Sequence, residues 1–335
     1  MNKKIVWVII LSVFVCAFAF SQEIRINNTE DWTSALRTIA NSGNNKRYTL
    51  VINDRIAVPG DFGVEDPNMP GDSGGLERNI ANVGYYSFSF GNASNITVTL
   101  RGNGTLFLSS PGYMFRIKGG QTLTIDSEHL TLQGLSMFVR GPSINNNSPI
   151  IDIMTDSNGR GGNLNLINGT LCYNVNEGIG GGGVSVGYGG TFTMSGGRIS
   201  DNMTLEIFGG GGVLVWNGGS FIMRGGTIIS NIASFRSFTG APPSGRGGGV
   251  SILYGSFVKT GGIIYGNDAA DVEDSNLANF GQAVYFVTPD ANTGGYYFFC
   301  NHSLDATRNG NISTRDTLPS RNDQSARNWS RRAGP

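Results

Sequence analysis

Asp152, Asp156 and Arg160 form the group of side chains in this sequence that comes nearest to a catalytic site. Cleavage of a polysaccharide needs two carboxylates that work as acid and base, or a calcium cluster beside a basic residue. The glycine-rich region that follows, 161–267, adds three acids, which are Glu177, Asp201 and Glu206. A polar Ser-Asn-Gly turn explains the charges of the first group equally well, so we predict no catalytic residue.

The other reactive side chains are few. His129 and His302 are the two histidines, and neither has a second metal ligand near it in sequence. Cys172 and Cys300 are too far apart to suggest a disulfide framework, and they lack the CxxC spacing of a metal site. We therefore predict neither a metal nor a cofactor site.

Three aromatic residues recur at corresponding places, which are Tyr188, Trp216 and Tyr254. Each follows a short apolar stretch by one or two residues. A row of exposed rings would suit stacking against sugar rings; the alternative is that these are ordinary aromatic residues of turns. They are the predicted ligand-binding residues, and the predicted partner is a polysaccharide or a host or cell-surface glycan.

A glycine-rich repeat positions these aromatic residues. Three units share Gly-Gly-Gly-Val-x-Val or Ile, then Phe, then Gly-Gly-x-Ile and an asparagine. The phenylalanines are Phe192, Phe221 and Phe257, so the gaps are 29 residues (192 to 221) and 36 residues (221 to 257). A fainter copy ends at Asn174, and a partial copy begins at Gly281. Constant units joined by linkers of variable length are typical of a solenoid.

Each unit contains three short strands separated by glycine pairs. Val184 and Val186 alternate with other residues, as do Phe192 and Met194, and Ile199 lies in a third strand. Successive units would pair in parallel about 4.8 Å apart, and the right-handed preference of parallel crossovers sets the hand. We predict an all-β chain, a right-handed single-stranded parallel β-helix, in which like residues stack in columns.

Two polar positions of the repeat lead to further predictions. The side-chain amides of Asn202, Asn231 and Asn267 are predicted to form a ladder along the axis. Lys259 has the place of Met194, where a buried ammonium group is costly. Either the chain opens there, or the lysine side chain reaches out to solvent.

The N-terminus indicates export. A basic start and an apolar run up to Phe20 predict a signal peptide over 1–22, cleaved after Ala19 or Ser21. A membrane anchor and a lipoprotein modified at Cys16 are the alternatives. No later segment could cross a membrane as a helix, so the mature chain is predicted to have no integral membrane span and to lie outside the cell, on its outer surface or in the periplasm.

The rest of the chain divides into four predicted segments. They are an N-terminal cap over 23–60 with a helix at 29–40, an exposed loop-rich segment over 61–94, the parallel β-helix over 95–300, and a polar, Arg-rich tail over 301–335. Thr29 is the predicted cap of the helix, which would cover the hydrophobic end of the first coil. The tail is predicted to be flexible or to form a loose cap.

Composition excludes one class of partner. Glycine supplies 51 of 335 residues, charged residues make up 14%, and the formal net charge is zero. Because phosphate binding needs a basic excess, nucleic acid is excluded as a partner. Disordered chains combine low hydrophobicity with high net charge, so a neutral chain favours order.

The repeat resembles that of a known group of proteins. The run Gly-Gly-Gly-Val-x-Val, followed by Gly-Gly-Thr-Phe-Thr-Met-Ser-Gly-Gly-x-Ile-Ser-x-Asn, resembles the glycine-rich β-helix repeat of spirochaete surface or secreted proteins. It is also similar to repeats of polymorphic outer-membrane proteins and autotransporter passenger domains. Over 161–267 the resemblance implies a pectin-lyase-like fold and a role in adhesion.

These observations predict an exported, non-catalytic β-helix protein. Its role would be that of a surface or extracellular module, structural or adhesion-type, that binds carbohydrate. The alternative is a polysaccharide lyase or glycoside hydrolase of pectin-lyase-like fold.

Overall fold

A computed structural model describes most of the chain. The described residues are 21–60, 88–137, 145–206, 208–234, 245–288, 296–304, 312–313 and 329–333. Most of the predicted signal peptide and residues 61–87 lie outside these ranges. Within them the chain is predominantly β-structure with large parallel sheets.

The helix and strands follow one another along the chain in short segments. In order, they are β1 (Gln22–Ile26), α1 (Thr29–Asn41), β2 (Lys46–Ile52), β3 (Arg55–Val58), β4 (Ile96–Arg101), β5 (Thr105–Leu108), β6 (Phe115–Ile117), β7 (Gln121–Ile125), β8 (Thr131–Gln133), β9 (Ile151–Ile153), β10 (Asn163–Leu166), β11 (Thr170–Cys172), β12 (Val175–Asn176), β13 (Val184–Val186), β14 (Thr191–Met194), β15 (Arg198–Ser200), β16 (Met203–Thr204), β17 (Val213–Val215), β18 (Ser220–Ile229), β19 (Ile232–Ala233), β20 (Val250–Leu253), β21 (Ser256–Ile264), β22 (Val284–Thr288), β23 (Tyr296–Cys300), β24 (Ile312–Ser313) and β25 (Trp329–Ala333). A short 3₁₀ turn, Val272–Asp274, precedes β22.

Strands from successive repeats lie side by side in three sheets. The largest has 14 strands in two arms that meet in the long strand β18: β1-β2-β4-β7-β10-β14 on one side and β15-β11-β8-β5-β3 on the other, with β21 also paired to β18 and β24 paired to β21. The second sheet is β12-β16-β19, and the third has eight strands, β6-β9-β13-β17-β20-β22-β23-β25. Pairing is parallel between all described strands up to β22.

The repeat units align as the sequence predicts. Phe192 is paired in register with Phe221, and Phe221 with Phe257. Their rings stack, at 4.7 Å with 8° between the planes for the first pair and 5.3 Å with 24° for the second. All three rings are fully buried. The predicted column of phenylalanines is therefore confirmed, and each buried ring contributes roughly 1.5–3 kcal/mol to folding.

Parallel pairing begins earlier in the chain than predicted. Strand β2 pairs with β4 from Lys46 opposite Ile96, and β3 pairs with β5 from Arg55 opposite Thr105. The segment predicted as a separate cap thus supplies the first strands of the largest sheet. Phe88 and Phe90, at the end of the segment predicted as an exposed loop, are buried, so that prediction is wrong for them.

Helix α1 covers one end of the core, but its cap differs from the prediction. Asn28, rather than Thr29, is the N-cap, because its side-chain oxygen accepts a 2.8 Å hydrogen bond from the Asp31 N–H. The Thr29 hydroxyl instead donates to the Ala57 carbonyl. Trp32 is buried and meets the ring of Phe115 edge to face at 5.3 Å.

The asparagine ladder is present, with one member corrected. The side chains of Asn146, Asn174, Asn202, Asn231 and Asn276 follow one another along the stack. Side-chain amides link the neighbours directly, except that Asn202 Oδ1 accepts from the backbone N–H of Asn174. Asn231 Nδ2 donates to Asn276 Oδ1 at 3.0 Å, whereas Asn267 is exposed. The chain between β21 and β22 brings Asn276 back to the ladder, and its own side chain donates to the carbonyls of Ile228 and Tyr265.

Lys259 remains inside the molecule. It is paired in register with Met223 and its side chain is fully buried. The prediction that it would open the chain or reach out to solvent is therefore wrong. The pairing of β21 with β18 keeps its register from Ser256 to Lys259, so Lys259 faces inward on the same side as Phe257.

The C-terminal strands change the direction of pairing. Strand β23 pairs antiparallel with β22, β25 with β23, and β24 with β21. The described residues of the predicted tail therefore include sheet strands. Within the described ranges, no helix has the length and apolar character that crossing a membrane requires.

Candidate functional site

The turns that lead into strands β10, β14, β18 and β21 lie against one another in a row, which we call the turn edge. They cover residues 156–162, 187–190, 216–219 and 253–255. The contact is close: a Cβ on Gly161 would lie 2.0 Å from the backbone nitrogen of Gly190, and the Gly189 N–H donates to the Gly218 carbonyl at 3.0 Å. Glycine permits this approach because it has no Cβ.

Tyr188 is the most exposed aromatic residue of the turn edge. It is 60% exposed. Its ring lies over the next turn, since a Cβ on Gly218 would be 2.3 Å from Tyr188 Cδ2. Gly218 has φ +74°, a conformation that also favours glycine. The ring therefore extends along the row of turns and presents a face to solvent.

Tyr254 is exposed for a different reason. The turn of the third unit is one residue shorter than those of the first two, and Tyr254 has φ 59° where Gly189 has 69° and Gly218 has 74°. A non-glycine residue in this left-handed region is uncommon and costs energy. Tyr254 is 43% exposed, so a strained backbone position places a second ring at the turn edge.

Trp216 lies apart from the two tyrosines. Val213 and Val215 face the core, so the intervening Leu214 and the following Trp216 face outward from the eight-stranded sheet. Trp216 packs there against an apolar cluster that contains Leu214, Leu253, Tyr285, Val287, Phe208 and Phe280. Ring contacts within the described residues include none among Tyr188, Trp216 and Tyr254. Its offset of one residue from the other two puts Trp216 on this face.

Sequence reasoning missed the cation beside this cluster. The guanidinium of Arg246 lies 4.6 Å from the ring centre of Phe208 and 5.5 Å from that of Tyr285. These are cation–π distances. Nothing in the spacing of Arg246 signals the contact, because the linker before β20 has no counterpart of equal length in the other units.

Asp152, the first residue of the predicted charged group, is held by a residue the sequence analysis did not include. Its Oδ2 lies 3.2 Å from Arg116 Nε, and both side chains are less than a tenth exposed. The two residues are in register on β9 and β6. The pairing of distant strands, and not spacing along the chain, brings them together.

Asp156 is the hydrogen-bonding centre of its own turn. Its Oδ1 accepts from the N–H groups of Asn158 and Arg160 at 2.8 and 2.9 Å, and its Oδ2 accepts from Arg160 Nε and Nη2 at 3.0 and 2.9 Å. Burial alone would raise the pKa of Asp156, but these hydrogen bonds and the guanidinium charge outweigh it and lower the pKa. These hydrogen bonds fix the shape of the turn around Asp156, and Asp152 has a separate partner in Arg116.

The two cysteine thiols are poor nucleophiles, and the described residues contain no cluster of metal-binding side chains. Burial, the largest effect, raises the pKa of both Cys172 and Cys300 to about 12. Among the described residues, no group of three or more His, Cys, Asp or Glu side chains is placed to hold a metal ion.

An ordered array of polar side chains borders the turn edge, and sequence reasoning missed it. The strands that the turns lead into, together with β4 and β7 beside them, present two outward rows, which we call the Thr/Asn face. The first row is Thr97, Thr122, Asn163, Thr191, Ser220 and Ser256, and the second is Thr99, Thr124, Asn165, Thr193, Ile222 and Val258. The signal was a recurring Thr-x-Thr or Asn-x-Asn, which gains meaning only when the strand register is known.

The chain matches no protein family model, no curated protein and no solved structure. Its candidate site is therefore assigned from its own geometry. The exposed rings of Tyr188 and Tyr254, at the turn edge and beside the Thr/Asn face, are the described groups best suited to contact a ligand.

Proposed function

We propose that the chain is an exported right-handed parallel β-helix that acts as a non-catalytic, surface or extracellular binding module, and that it binds carbohydrate at the turn edge. The observation that carries this proposal is the exposure of two tyrosine rings, Tyr188 and Tyr254, on turns of the same row. A tyrosine ring with one face exposed to solvent can stack on a sugar ring, and its hydroxyl group can form a hydrogen bond with the sugar.

Three features support the β-helix. The first unit contributes β14 and β15 to the two arms of the largest sheet and β13 to the eight-stranded sheet, and in the next two units one long strand, β18 or β21, replaces the pair β14 and β15. Equivalent residues such as Phe192 and Phe221 are paired in parallel. Parallel crossovers are right-handed in about 98% of cases, which supports the hand. The basic and apolar N-terminus supports export.

The ion pairs formed by Asp152 and Asp156 favour a binding function without catalysis. Asp152 forms an ion pair with Arg116, and Asp156 forms one with Arg160. Because both carboxylates are engaged in this way, neither is free to act as a general acid or base towards a substrate. A polysaccharide lyase would need such a group. Incubation with pectin and alginate, followed by the ultraviolet absorbance of unsaturated products, tests this part; a calcium-dependent signal would overturn it.

Binding is tested on a glycan array with the wild-type chain and the double variant Tyr188→Ala/Tyr254→Gly. We expect the double variant to bind at least tenfold more weakly, which corresponds to about 1.4 kcal/mol. Tyr173→Gly is a matched control, because Tyr173 is 42% exposed with φ 56° but lies on a turn outside the turn edge. An inert wild type, or an equal loss in the control, would overturn the proposal.

A further inference from the structure

The Thr/Asn face repeats in two directions. Its two rows run across six strands, from β4 to β21, and the pairing shows no shift of register at any of their positions. Neighbouring strands lie about 4.8 Å apart, and residues two apart along a strand are separated by roughly 6.7 Å. Hydroxyl and amide groups therefore recur at a fixed step along the direction in which the repeats stack, on all six strands in the first row and on the first four in the second, which ends with Ile222 and Val258.

The hydroxyl groups of this face are available for a ligand. Within the described part of the chain, the hydroxyls of Thr97, Thr99, Thr122, Thr191 and Thr193 have no hydrogen-bond partner, and the side chains are partly exposed. Asn165 Nδ2 reaches Thr124 Oγ1 at 3.4 Å, which is the one side-chain bond between described residues of the two rows. Each hydroxyl both donates and accepts.

The threonines are also well prepared for binding. A β-branched side chain has a restricted χ1 angle, and a strand holds its direction. Little rotamer freedom is therefore lost when such a side chain contacts a ligand, so less of the binding free energy is consumed by ordering.

Charge narrows the class of ligand. No residue of the two rows carries a charge. Charged side chains occur beyond them, at Arg47 on β2, in the pair Arg101–Asp126 beside Thr99, and at exposed Arg224, two residues after Ile222 on β18. An anionic polymer would find no counter-charge in the rows themselves. A neutral polymer rich in hydroxyl groups matches both the lack of charge and the alternation of donors and acceptors.

The exposed tyrosines give an independent indication of the same ligand chemistry. Tyr188 precedes Thr191 by three residues, and Tyr254 precedes Ser256 by two, so both rings lie where the strands of the Thr/Asn face begin. An aromatic border beside a hydroxyl surface offers stacking and hydrogen bonding together.

We propose that the Thr/Asn face binds a neutral, extended polysaccharide that lies across the strands, with successive sugars meeting successive repeats. A linear chain of pyranose rings presents hydroxyls at a repeat close to the strand spacing, so one sugar can meet one strand. This inference rests on the parallel stacking in the proposed function, but not on the two tyrosines.

The test uses co-sedimentation of the chain from Gln22 onward with microcrystalline cellulose and chitin, with alginate gel beads as the anionic counterpart. The variant Thr122→Val/Thr191→Val removes two hydroxyls and keeps the β-branched shape. Two lost hydrogen bonds predict binding to the neutral polymer that is about tenfold weaker or more. Binding by the wild type is expected to be unchanged between low and high salt, because the face is uncharged.

Two further variants serve as controls. Thr131→Val/Thr170→Val alters the same residue type, partly exposed and paired in register, on the other arm of the sheet, and it should bind as the wild type does. Thr122→Ser/Thr191→Ser keeps the hydroxyls and should retain binding. Far-ultraviolet circular dichroism and thermal unfolding identify any variant that has lost its fold.

Several outcomes would overturn the inference. Loss of binding in the tyrosine double variant with full binding by Thr122→Val/Thr191→Val would reject the Thr/Asn face while leaving the proposed function intact. Preference for alginate with strong salt dependence would reject a neutral ligand. Thermal hysteresis in freezing water without polymer binding would assign the face to ice, and a wild type that binds no glycan in any assay would reject both proposals.

Discussion

The rings of Phe192 and Phe221 lie 4.7 Å apart with only 8° between their planes, although a whole repeat separates the residues in sequence. The column continues from Phe221 to Phe257, whose ring centres are 5.3 Å apart. Stacked identical side chains make each repeat depend on the next, so damage at one level is felt by both neighbours.

The variant Phe221→Ala should lower the free energy of unfolding by about 3–5 kcal/mol, because a fully buried ring is lost and a cavity remains. Chemical denaturation followed by tryptophan fluorescence measures the change. The adjacent Ile222→Ala is the control: Ile222 faces outward and is partly exposed, so a loss of about 1 kcal/mol or less is expected. Equal effects at the two positions would contradict the inward column.

Asn276 and Asn267 should differ sharply when each is replaced by alanine. Asn276 accepts from Asn231 and donates to two carbonyls, so Asn276→Ala leaves buried groups unsatisfied and should cost about 1–3 kcal/mol or more. Asn267→Ala alters an exposed side chain and should stay within about 0.5 kcal/mol of the wild type. Thermal and chemical unfolding of the two variants measures the difference, and the reverse order would restore the ladder that the repeat spacing predicts.

These two cases show what the sequence could and could not predict. The phenylalanine column follows from spacing, because the segment from each phenylalanine to the following Gly-Gly pair has the same length in every unit. The last ladder residue does not, since an inserted segment separates Asn276 from Asn231 by 45 residues. Asn267 has the spacing expected for the ladder but is exposed, and Asn276 takes its place. Spacing alone therefore assigns the wrong asparagine when the linker is longer.

The candidate site shows the same limit. Exposure of Tyr188 and Tyr254 is foreseen by their positions in glycine-rich turns, whereas the direction of Trp216 changes with one residue of offset. The Arg116–Asp152 pair and the Thr/Asn face depend on which strands are neighbours. That information is held in the pairing of β6 with β9 and of β10 with β7 and β14, and not in any local pattern.

Tyr254 and Tyr188 should respond oppositely to glycine and alanine. At Tyr254, φ 59° favours glycine, so Tyr254→Gly should be more stable than Tyr254→Ala by about 1 kcal/mol. Tyr188 is not among the residues with positive φ, so there alanine should be the more stable replacement by about 0.5–1 kcal/mol. Thermal unfolding of the four variants gives both signs. The same preference at both sites would contradict the strained turn.

Cys172 and Cys300 should be unreactive in the folded protein. Burial raises the pKa of each thiol to about 12, so almost no thiolate is present at pH 8, and the thiolate is the reactive form. In the chain from Gln22 onward, a colorimetric disulfide reagent should modify neither thiol in buffer and both in denaturant. Rapid modification without denaturant would show that the strands carrying these residues open.

Asp156 should make the stability of the protein depend on pH in the acid range. Hydrogen bonds and the Arg160 guanidinium hold its pKa below the ordinary value of 3.8. The charged form is therefore favoured by folding: its contribution is present above about pH 4 and is lost as pH falls through the lowered pKa. The variant Asp156→Asn lacks that contribution at every pH, so it should be less stable than the wild type by roughly 1–3 kcal/mol at neutral pH, with a gap that narrows on acidification. Urea unfolding at a series of pH values measures the gap. Asp126→Asn is the control, since the ion pair of Asp126 with Arg101 is exposed and should contribute about 1 kcal/mol or less to stability. A stability difference between Asp156→Asn and the wild type that became larger in acid would contradict the assigned hydrogen bonds.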